Sequence, residues 1–141
     1  MPQDSDFERL IAAVIDHGFH LHAALGPGLL ESAYEAFLAG SLREAGLSVR
    51  QQVSLPARYR NTTIENAFRI DLLVNDCLIV EIKSLERLAP VHSKQVLTYL
   101  RLTGQPVGLL MNFGAPLFKQ GVVRVIDSRN PYGRPNDSST A

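Results

Sequence analysis

The sequence predicts an α/β domain, in which helices pack against a β-sheet. Apolar residues first recur at three- and four-residue spacing, which indicates helices. From Val49 they alternate with polar residues, which indicates strands, and helical spacing returns after Pro90. The predicted order is therefore two helices, three strands, one helix and two strands, which is typical of a sheet covered by helices.

Three helices are expected, over residues of about 6–24, 29–45 and 90–104. Ser5 and Glu8 form a capping box, with Ser5 as the predicted N-cap of the first helix. The segment Gly26-Pro27-Gly28 breaks the helical pattern, and Gly46 is expected to end the second helix in a left-handed conformation. Pro90 suits the first turn of the third helix.

Five strands follow from the alternating and apolar segments. Val49, Val53 and Leu55 alternate with polar residues and predict a half-exposed first strand. Turns are expected at Asn61-Thr62-Thr63 and at Asn75-Asp76-Cys77. The remaining strands are predicted over residues of about 64–74, 78–84, 106–113 and 121–126.

Size and composition favour a single domain, which we expect to span residues 1–126. A chain of 141 residues suffices for one core, and the segment 127–141, rich in Ser, Asn, Pro and Gly, is expected to be a flexible tail. Lys and Arg together number 14, as do Asp and Glu, so bulk charge predicts no strong non-specific attraction to nucleic acid. Any such binding requires a local patch or a metal ion.

The sequence also limits compartment and redox chemistry. Cys77 is the only cysteine, which excludes an intramolecular disulfide and a cysteine-rich zinc site. No apolar run reaches membrane-spanning length, and the polar, acidic first residues do not resemble a signal peptide. We therefore expect a cytoplasmic protein without a membrane partner.

Two predicted strands carry charge inside apolar runs: Asp71 in the first, and Glu81 and Lys83 in the next. Charge in such a setting costs free energy unless it is paired or binds a metal. The connecting turn decides whether the acids meet, because side chains of a strand alternate between faces. A two-residue turn would pair Asp71 with Val80 and separate the acids.

A three-residue turn, or an equivalent bulge, would instead pair Asp71 with Glu81, and we favour it because it leaves one wholly apolar face. That face is predicted to carry Ile70, Leu72, Val74, Leu78, Val80 and Ile82. The opposite face is predicted to carry Arg69, Asp71, Leu73, Ile79, Glu81 and Lys83.

Two carboxylates opposed at about 5 Å repel, so one keeps a proton unless a cation lies between them. Mg²⁺ is the natural cation, with Mn²⁺ as its substitute, because it prefers oxygen ligands and retains waters for phosphate chemistry. Lys83 could orient the attacking water or stabilise the developing charge. The plain alternative is a solvated strand face with weak ion pairs.

These residues resemble known signatures. Asp71 followed by Glu81-Ile82-Lys83 resembles the motif of the PD-(D/E)XK nuclease superfamily, with Ile70 where proline is usual. Gly28 to Tyr34 is similar to the motif of the GxxExxY family, a small bacterial group within that superfamily. The resemblance covers about residues 7–126, and segments 25–31, 69–74 and 95–100 agree with it.

The resemblance implies a restriction-endonuclease-like core, a mixed sheet with antiparallel hairpin strands flanked by helices. It implies a Mg²⁺-dependent nuclease acting on nucleic acid, with Asp71, Glu81 and Glu31 holding the metal. Its catalytic set would be Glu31, Asp71, Glu81, Lys83 and Gln95. Taken alone, Glu31 would be an ordinary acid in a first helical turn and Gln95 a surface residue.

Other residues receive plainer interpretations. Tyr34 and Tyr99 are expected to pack with an anchored hydroxyl group. The histidines form no zinc set: His17 and His20 are interpreted as structural or surface residues, whereas His22 could approach Glu31 and His92 lies one helical turn before Gln95.

The sequence is also compatible with two other functions. A catalytically silent module of the same fold could bind nucleic acid or a protein. An unrelated α/β domain could use its polar strand face as a contact in a homodimer.

Overall fold

A five-stranded mixed sheet with helices on both faces forms the centre of the protein. The computed structural model describes residues 4–129 and confirms the predicted fold class. None of the helices in this part of the chain is both long and apolar enough to cross a membrane. The elements are α1 Asp4–Leu25, α2 Glu31–Glu44, β1 Val49–Tyr59, β2 Thr62–Val74, β3 Leu78–Lys83, α3 Pro90–Thr103, β4 Val107–Asn112, α4 Phe118–Gly121 and β5 Val122–Ile126.

The strands lie in the sheet in their chain order, β1-β2-β3-β4-β5. Strands β1, β2 and β3 form an antiparallel meander, β3 and β4 are parallel, and β5 is antiparallel to β4. A parallel pair needs a crossover, which α3 supplies between β3 and β4. Because α1 and α2 pack on one side of the sheet and α3 on the other, both faces are covered.

Two clusters of buried side chains result. The α1/α2 core joins the two N-terminal helices to one face of the sheet through residues such as Ile11, Val14, Leu38, Leu42, Leu72, Leu78, Val80 and Met111. The α3 core joins the third helix to the other face through Ile70, Leu73, Ile79, Val96, Tyr99, Leu100, Leu110 and Val125.

The predicted division of the two strands between opposite faces is correct except at Ile70. Leu73 and Ile79 lie on the face opposite Leu72, as expected, and α3 buries them there. Ile70 lies in the α3 core rather than beside Leu72, because β2 switches faces at Asp71. The same switch occurs in β1, where Val49 contacts one core and Val53 the other.

The switch coincides with a gap in the β1–β2 ladder. Paired residues continue on either side, at Gln51–Leu72 and Val53–Ile70, and Gln52 adopts a positive φ of 54°. β1 is therefore half-exposed, as predicted, but its apolar residues contact both cores.

Several element boundaries also differ from expectation. Ser5 lies within α1 rather than at its N-cap, the β1–β2 turn falls at Arg60-Asn61, and the short helix α4 was not predicted. Asp127, where the predicted tail begins, is buried, and its backbone N–H donates to the Pro106 carbonyl. Residues 130–141 of that tail lie outside the described residues.

We expect Asn112→Ala to lower the free energy of unfolding by about 2 kcal/mol, because it strands buried backbone groups. The Asn112 amide accepts from the Leu85 and Gly114 N–H groups and donates to the Leu85 carbonyl, fixing the loop after β3. Urea unfolding measures the change. Asn66→Ala, at an exposed position of β2, is the control and should change it by less than about 0.5 kcal/mol. Equal losses in both variants would contradict the assigned role.

Candidate active site

The β2–β3 hairpin brings the two strand acids together. Its turn comprises Asn75, Asp76 and Cys77, and Val74 pairs with Leu78, which confirms the predicted three-residue register. Asn75 and Asp76 have φ values of 50° and 54°, a conformation that Asn and Asp tolerate better than most residues. The Asn75 side chain also accepts from the Ser48 N–H at 2.9 Å, which attaches the turn to the start of β1.

The Asp71 and Glu81 carboxyl groups share a hydrogen bond at the end of this hairpin. Asp71 is half-buried, and its Oδ2 accepts from the Ile82 N–H at 2.8 Å. The Glu81 residue is only 4% exposed, and its Oε2 has no hydrogen-bond partner. Burial, followed by the hydrogen bond and charge of Asp71, raises the pKa of Glu81 to about 10. Without a cation, Glu81 is therefore protonated at neutral pH.

Lys83 supplies a positive charge to this centre. It lies two residues after Glu81 on the same strand face, is half-buried, and acts to lower the pKa of Glu81. Its backbone carbonyl accepts from the Phe113 N–H at 2.9 Å, so the end of β3 is held in place beside the end of β4.

The loop before α2 places Glu31 within electrostatic range of Glu81. Gly28 has a φ of 123°, a conformation that L side chains rarely adopt. The buried Tyr34 hydroxyl donates to the Gly26 carbonyl and accepts from the Leu29 N–H, while Ser84 donates to the Leu29 carbonyl. These bonds join the loop to the end of β3. Glu31 follows in the first turn of α2, where it is exposed and its charge raises the pKa of Glu81.

Gln95 lies on α3, which packs on the opposite face of the sheet from α2. Its side chain hydrogen-bonds the Tyr99 hydroxyl one turn later on α3. Burial and then the charges of Glu81 and Asp71 raise the pKa of Tyr99 to about 12, so the phenol remains protonated beside the acids. The structure thus brings Asp71 and Glu81 into contact and places Glu31 and Lys83 within electrostatic range of Glu81, whereas Gln95 is connected to the acids only through Tyr99.

Sequence reasoning missed two residues, Gln52 and Glu35. The Gln52 amide donates both to Asp71 Oδ1, at 3.2 Å, and to the buried Glu35 carboxylate, which also accepts from Gln51. Glu35 on α2 therefore holds Gln52, and Gln52 helps to orient Asp71. The available signal was Gln51, a polar residue at a position that strict alternation between Val49 and Val53 assigns to the buried face.

The histidines have local roles. His17 hydrogen-bonds Ser41, and His20 pairs with Asp16 on the surface of α1. The buried Nε2 of His22 donates to the Ala115 carbonyl at 2.8 Å. His92 lines the same groove as Gln95.

The donor set suits a divalent cation that keeps most of its water. Among residues 4–129, no three or more His, Cys, Asp or Glu side chains form a group that could hold a metal ion by themselves. The two carboxylates of Asp71 and Glu81 nevertheless fit such an ion, because they are in contact and Glu81 Oε2 is buried without a partner. Mg²⁺ commonly binds through one or two carboxylates plus waters and phosphate oxygens.

Comparison with known proteins decides the family. A family model described as the PD-(D/E)XK nuclease superfamily matches residues 8–125. The chain belongs to the PD-(D/E)XK nuclease superfamily. The match spans every element that forms the site, and nucleases of this superfamily typically use divalent metal ions. No curated protein and no solved structure matches the chain.

In the metal-free protein, we expect stability to decrease as pH rises from about 5 towards 10. The folded state retains the Glu81 proton up to a pKa of about 10, whereas the unfolded chain releases it near 4.5. The unfolded state therefore binds fewer protons in this window, and this group lowers the unfolding free energy by up to about 1.4 kcal/mol per pH unit.

Denaturant unfolding of the wild type and Glu81→Gln across this pH range measures the effect. The neutral amide should flatten the dependence, whereas Glu65→Gln, at an exposed position, should not. An unchanged slope in Glu81→Gln would refute the assignment.

Proposed function

We propose that the protein is a metal-dependent nuclease that hydrolyses phosphodiester bonds in nucleic acid. The observation that carries this proposal is the contact between the Asp71 and Glu81 carboxyl groups, with Lys83 beside them, in a chain of the PD-(D/E)XK superfamily. A buried acid pair of this kind is costly unless a cation or proton offsets its charge.

Asp71 and Glu81 would hold the ion, for which Mg²⁺ is the proposed identity and Mn²⁺ the substitute. Glu31, in the first turn of α2, would add negative charge near the ion, and it need not contact Glu81 to do so. A divalent cation supplies Lewis acidity towards the phosphate and lowers the pKa of a bound water. The Asp71 hydrogen bonds with Ile82 and Gln52 fix its carboxylate before any ion arrives.

Lys83 would act on the reacting phosphate or its attacking water. It is the cation on the Glu81 strand face, and an ammonium group can stabilise the charge that develops on phosphate oxygens. Gln95 would orient polar groups of the substrate through its amide, while the Tyr99 hydroxyl holds that amide in place. Tyr99 is too weak an acid to serve as a general base at neutral pH.

A silent member of the same fold, binding nucleic acid or a protein without cleavage, is the second candidate. It is favoured by the absence, among residues 4–129, of a third side chain arranged to complete a metal site. The superfamily match excludes the third candidate, an unrelated α/β domain.

Membership of the GxxExxY family is supported by the roles of Gly28, Glu31 and Tyr34, which form and anchor one loop beside the acid pair. A cytoplasmic location and a single domain over residues 1–126 agree with the sequence. A homodimer is the further assembly to be tested by measuring the mass in solution.

We expect the wild type to bind Mg²⁺ or Mn²⁺ at millimolar concentration or below, and Glu81→Ala to lose this binding. The substitution removes one of the two carboxylates in contact. Isothermal titration calorimetry measures the affinity, and Glu65→Ala, at an exposed position of β2, serves as the matched control. If the intact protein binds neither ion, the metal-dependent proposal fails.

We expect Lys83→Ala to reduce the cleavage rate constant by about 10²- to 10³-fold while metal binding persists, because the lost charge acts on the transition state. A screen with labelled single- and double-stranded DNA and RNA in the presence of Mg²⁺ or Mn²⁺ measures cleavage. Lys119→Ala, an exposed lysine on α4, should behave as the wild type. Metal binding without any cleavage would select the silent module instead.

A further inference from the structure

The β1–β2 hairpin projects beyond the rest of the sheet as a two-stranded arm, here defined as residues 53–70. Among the described residues, β3 pairs with β2 only at Leu72–Val74, so the arm has no third strand. Tyr59 at the tip lies seven residues along β1 from Gln52, which contacts Asp71, and this corresponds to about 23 Å of strand. The arm therefore extends well away from the acid pair while remaining attached to it.

A groove opens between this arm and α3. It is lined by Phe68, Val91, His92, Lys94, Gln95 and Thr98. Gln95 lines the groove and connects it to the candidate active site through Tyr99. The Gln95 amide hydrogen-bonds the Tyr99 hydroxyl, and the charges of Glu81 and Asp71 help to raise the pKa of that hydroxyl. Val91 is 62% exposed, so an apolar surface beside the lysine is open to a ligand.

The arm tip carries an exposed aromatic ring and two guanidinium groups. Tyr59 is 67% exposed, and the Arg60 guanidinium lies 5.3 Å from the centroid of its ring. Arg58 donates through Nε to the Arg60 carbonyl at 3.0 Å, so both arginines are held at the tip. Exposed aromatic rings and arginine planes are the surfaces on which unpaired bases stack.

Positive charge is concentrated on the arm and the helix that faces it, although the whole chain is neutral. The arm contains Arg58, Arg60 and Arg69 against the single acid Glu65. Lys94 lies in the groove. His92 also lies there, and because its Nδ1 accepts from the Ala89 N–H, its Nε2 is left as a donor. This distribution is complementary to a polyanion.

We propose that the arm and α3 bind one strand of nucleic acid and guide it into the acid pair. Phosphates would contact Lys94 and the arginines at the tip, and an unpaired base would stack on Tyr59. A single strand fits because stacking on Tyr59 requires a base outside a duplex. This inference rests on the proposed nuclease function, and it names the substrate-binding path for that site.

Binding of a labelled single-stranded oligonucleotide, measured by fluorescence anisotropy without divalent ions, tests the path. We expect Tyr59→Ala to weaken binding about tenfold through lost stacking. Lys94→Ala should reduce the slope of log K against log salt by about 0.7, the value for one lost phosphate contact on a single strand. The corresponding duplex should bind more weakly than the strand.

Two control variants remove equal charge elsewhere. Arg50→Ala alters the opposite end of β1, where Arg50 pairs with Asp76, and Lys119→Ala alters α4 on the α1 side of the sheet. Both should leave affinity and salt slope within twofold of the wild type. The proposal is overturned if these controls weaken binding as much as Lys94→Ala, if Tyr59→Ala binds normally, or if no nucleic acid binds.

Cleavage assays separate this inference from the proposed function. If cleavage is absent but the strand binds with the expected variant pattern, the path stands and the nuclease proposal fails. If cleavage requires Glu81 while Tyr59→Ala and Lys94→Ala leave KM unchanged, the nuclease proposal stands and the path is wrong. We expect Tyr59→Ala and Lys94→Ala to raise KM and to leave kcat within about twofold, because both residues are assigned to strand binding and neither to the reacting phosphate.

Discussion

The contact between the Asp71 and Glu81 carboxyl groups is the constraint around which the site is organised. Two acids meet at a buried strand end, where little water is present to stabilise their charges. One proton, held by Glu81, offsets this cost in the metal-free protein. The hairpin turn, the loop before α2 and the crossover helix α3 each hold a side chain near this pair. The arrangement stores an unfavourable local interaction that a cation would relieve.

The irregularity at Gln52 and Asp71 lets one hairpin serve two purposes. On one side of it, β1 and β2 contribute Val49 and Leu72 to the α1/α2 core; on the other, Val53 and Ile70 contribute to the α3 core. A regular strand would place alternate residues on fixed faces throughout. Because it switches faces, the hairpin contributes side chains to both cores. The Asp71 carboxylate, at the switch, accepts hydrogen bonds from the Ile82 N–H and the Gln52 amide.

The β2–β3 turn, and with it the meeting of Asp71 and Glu81, could be predicted from the sequence. The three-residue turn followed from the apolar pattern, because only that register joins Asp71 to Glu81 while keeping Leu72, Val80 and Ile82 together. The face switch could not be predicted. Gln51 and Gln52 are both polar, so they do not show where the apolar alternation changes face, and the residue type does not reveal the positive φ at Gln52. The partnership of Glu35 with Gln52 depends on how α2 packs on the sheet, and short-range patterns do not encode that packing.

The balance of charge explains why a neutral chain can be suited to a polyanionic substrate. Around the reacting position, Asp71, Glu81 and Glu31 outnumber Lys83, so a phosphate would be repelled even while Glu81 keeps its proton. A divalent cation at the acid pair would offset that negative charge only where cleavage would occur. In the proposed path, attraction of the rest of the strand would come from the arginines of the arm and from Lys94 on α3. The proposed nuclease would therefore need both a metal ion at the acid pair and positive charge away from it. The net charge of the whole chain shows neither feature.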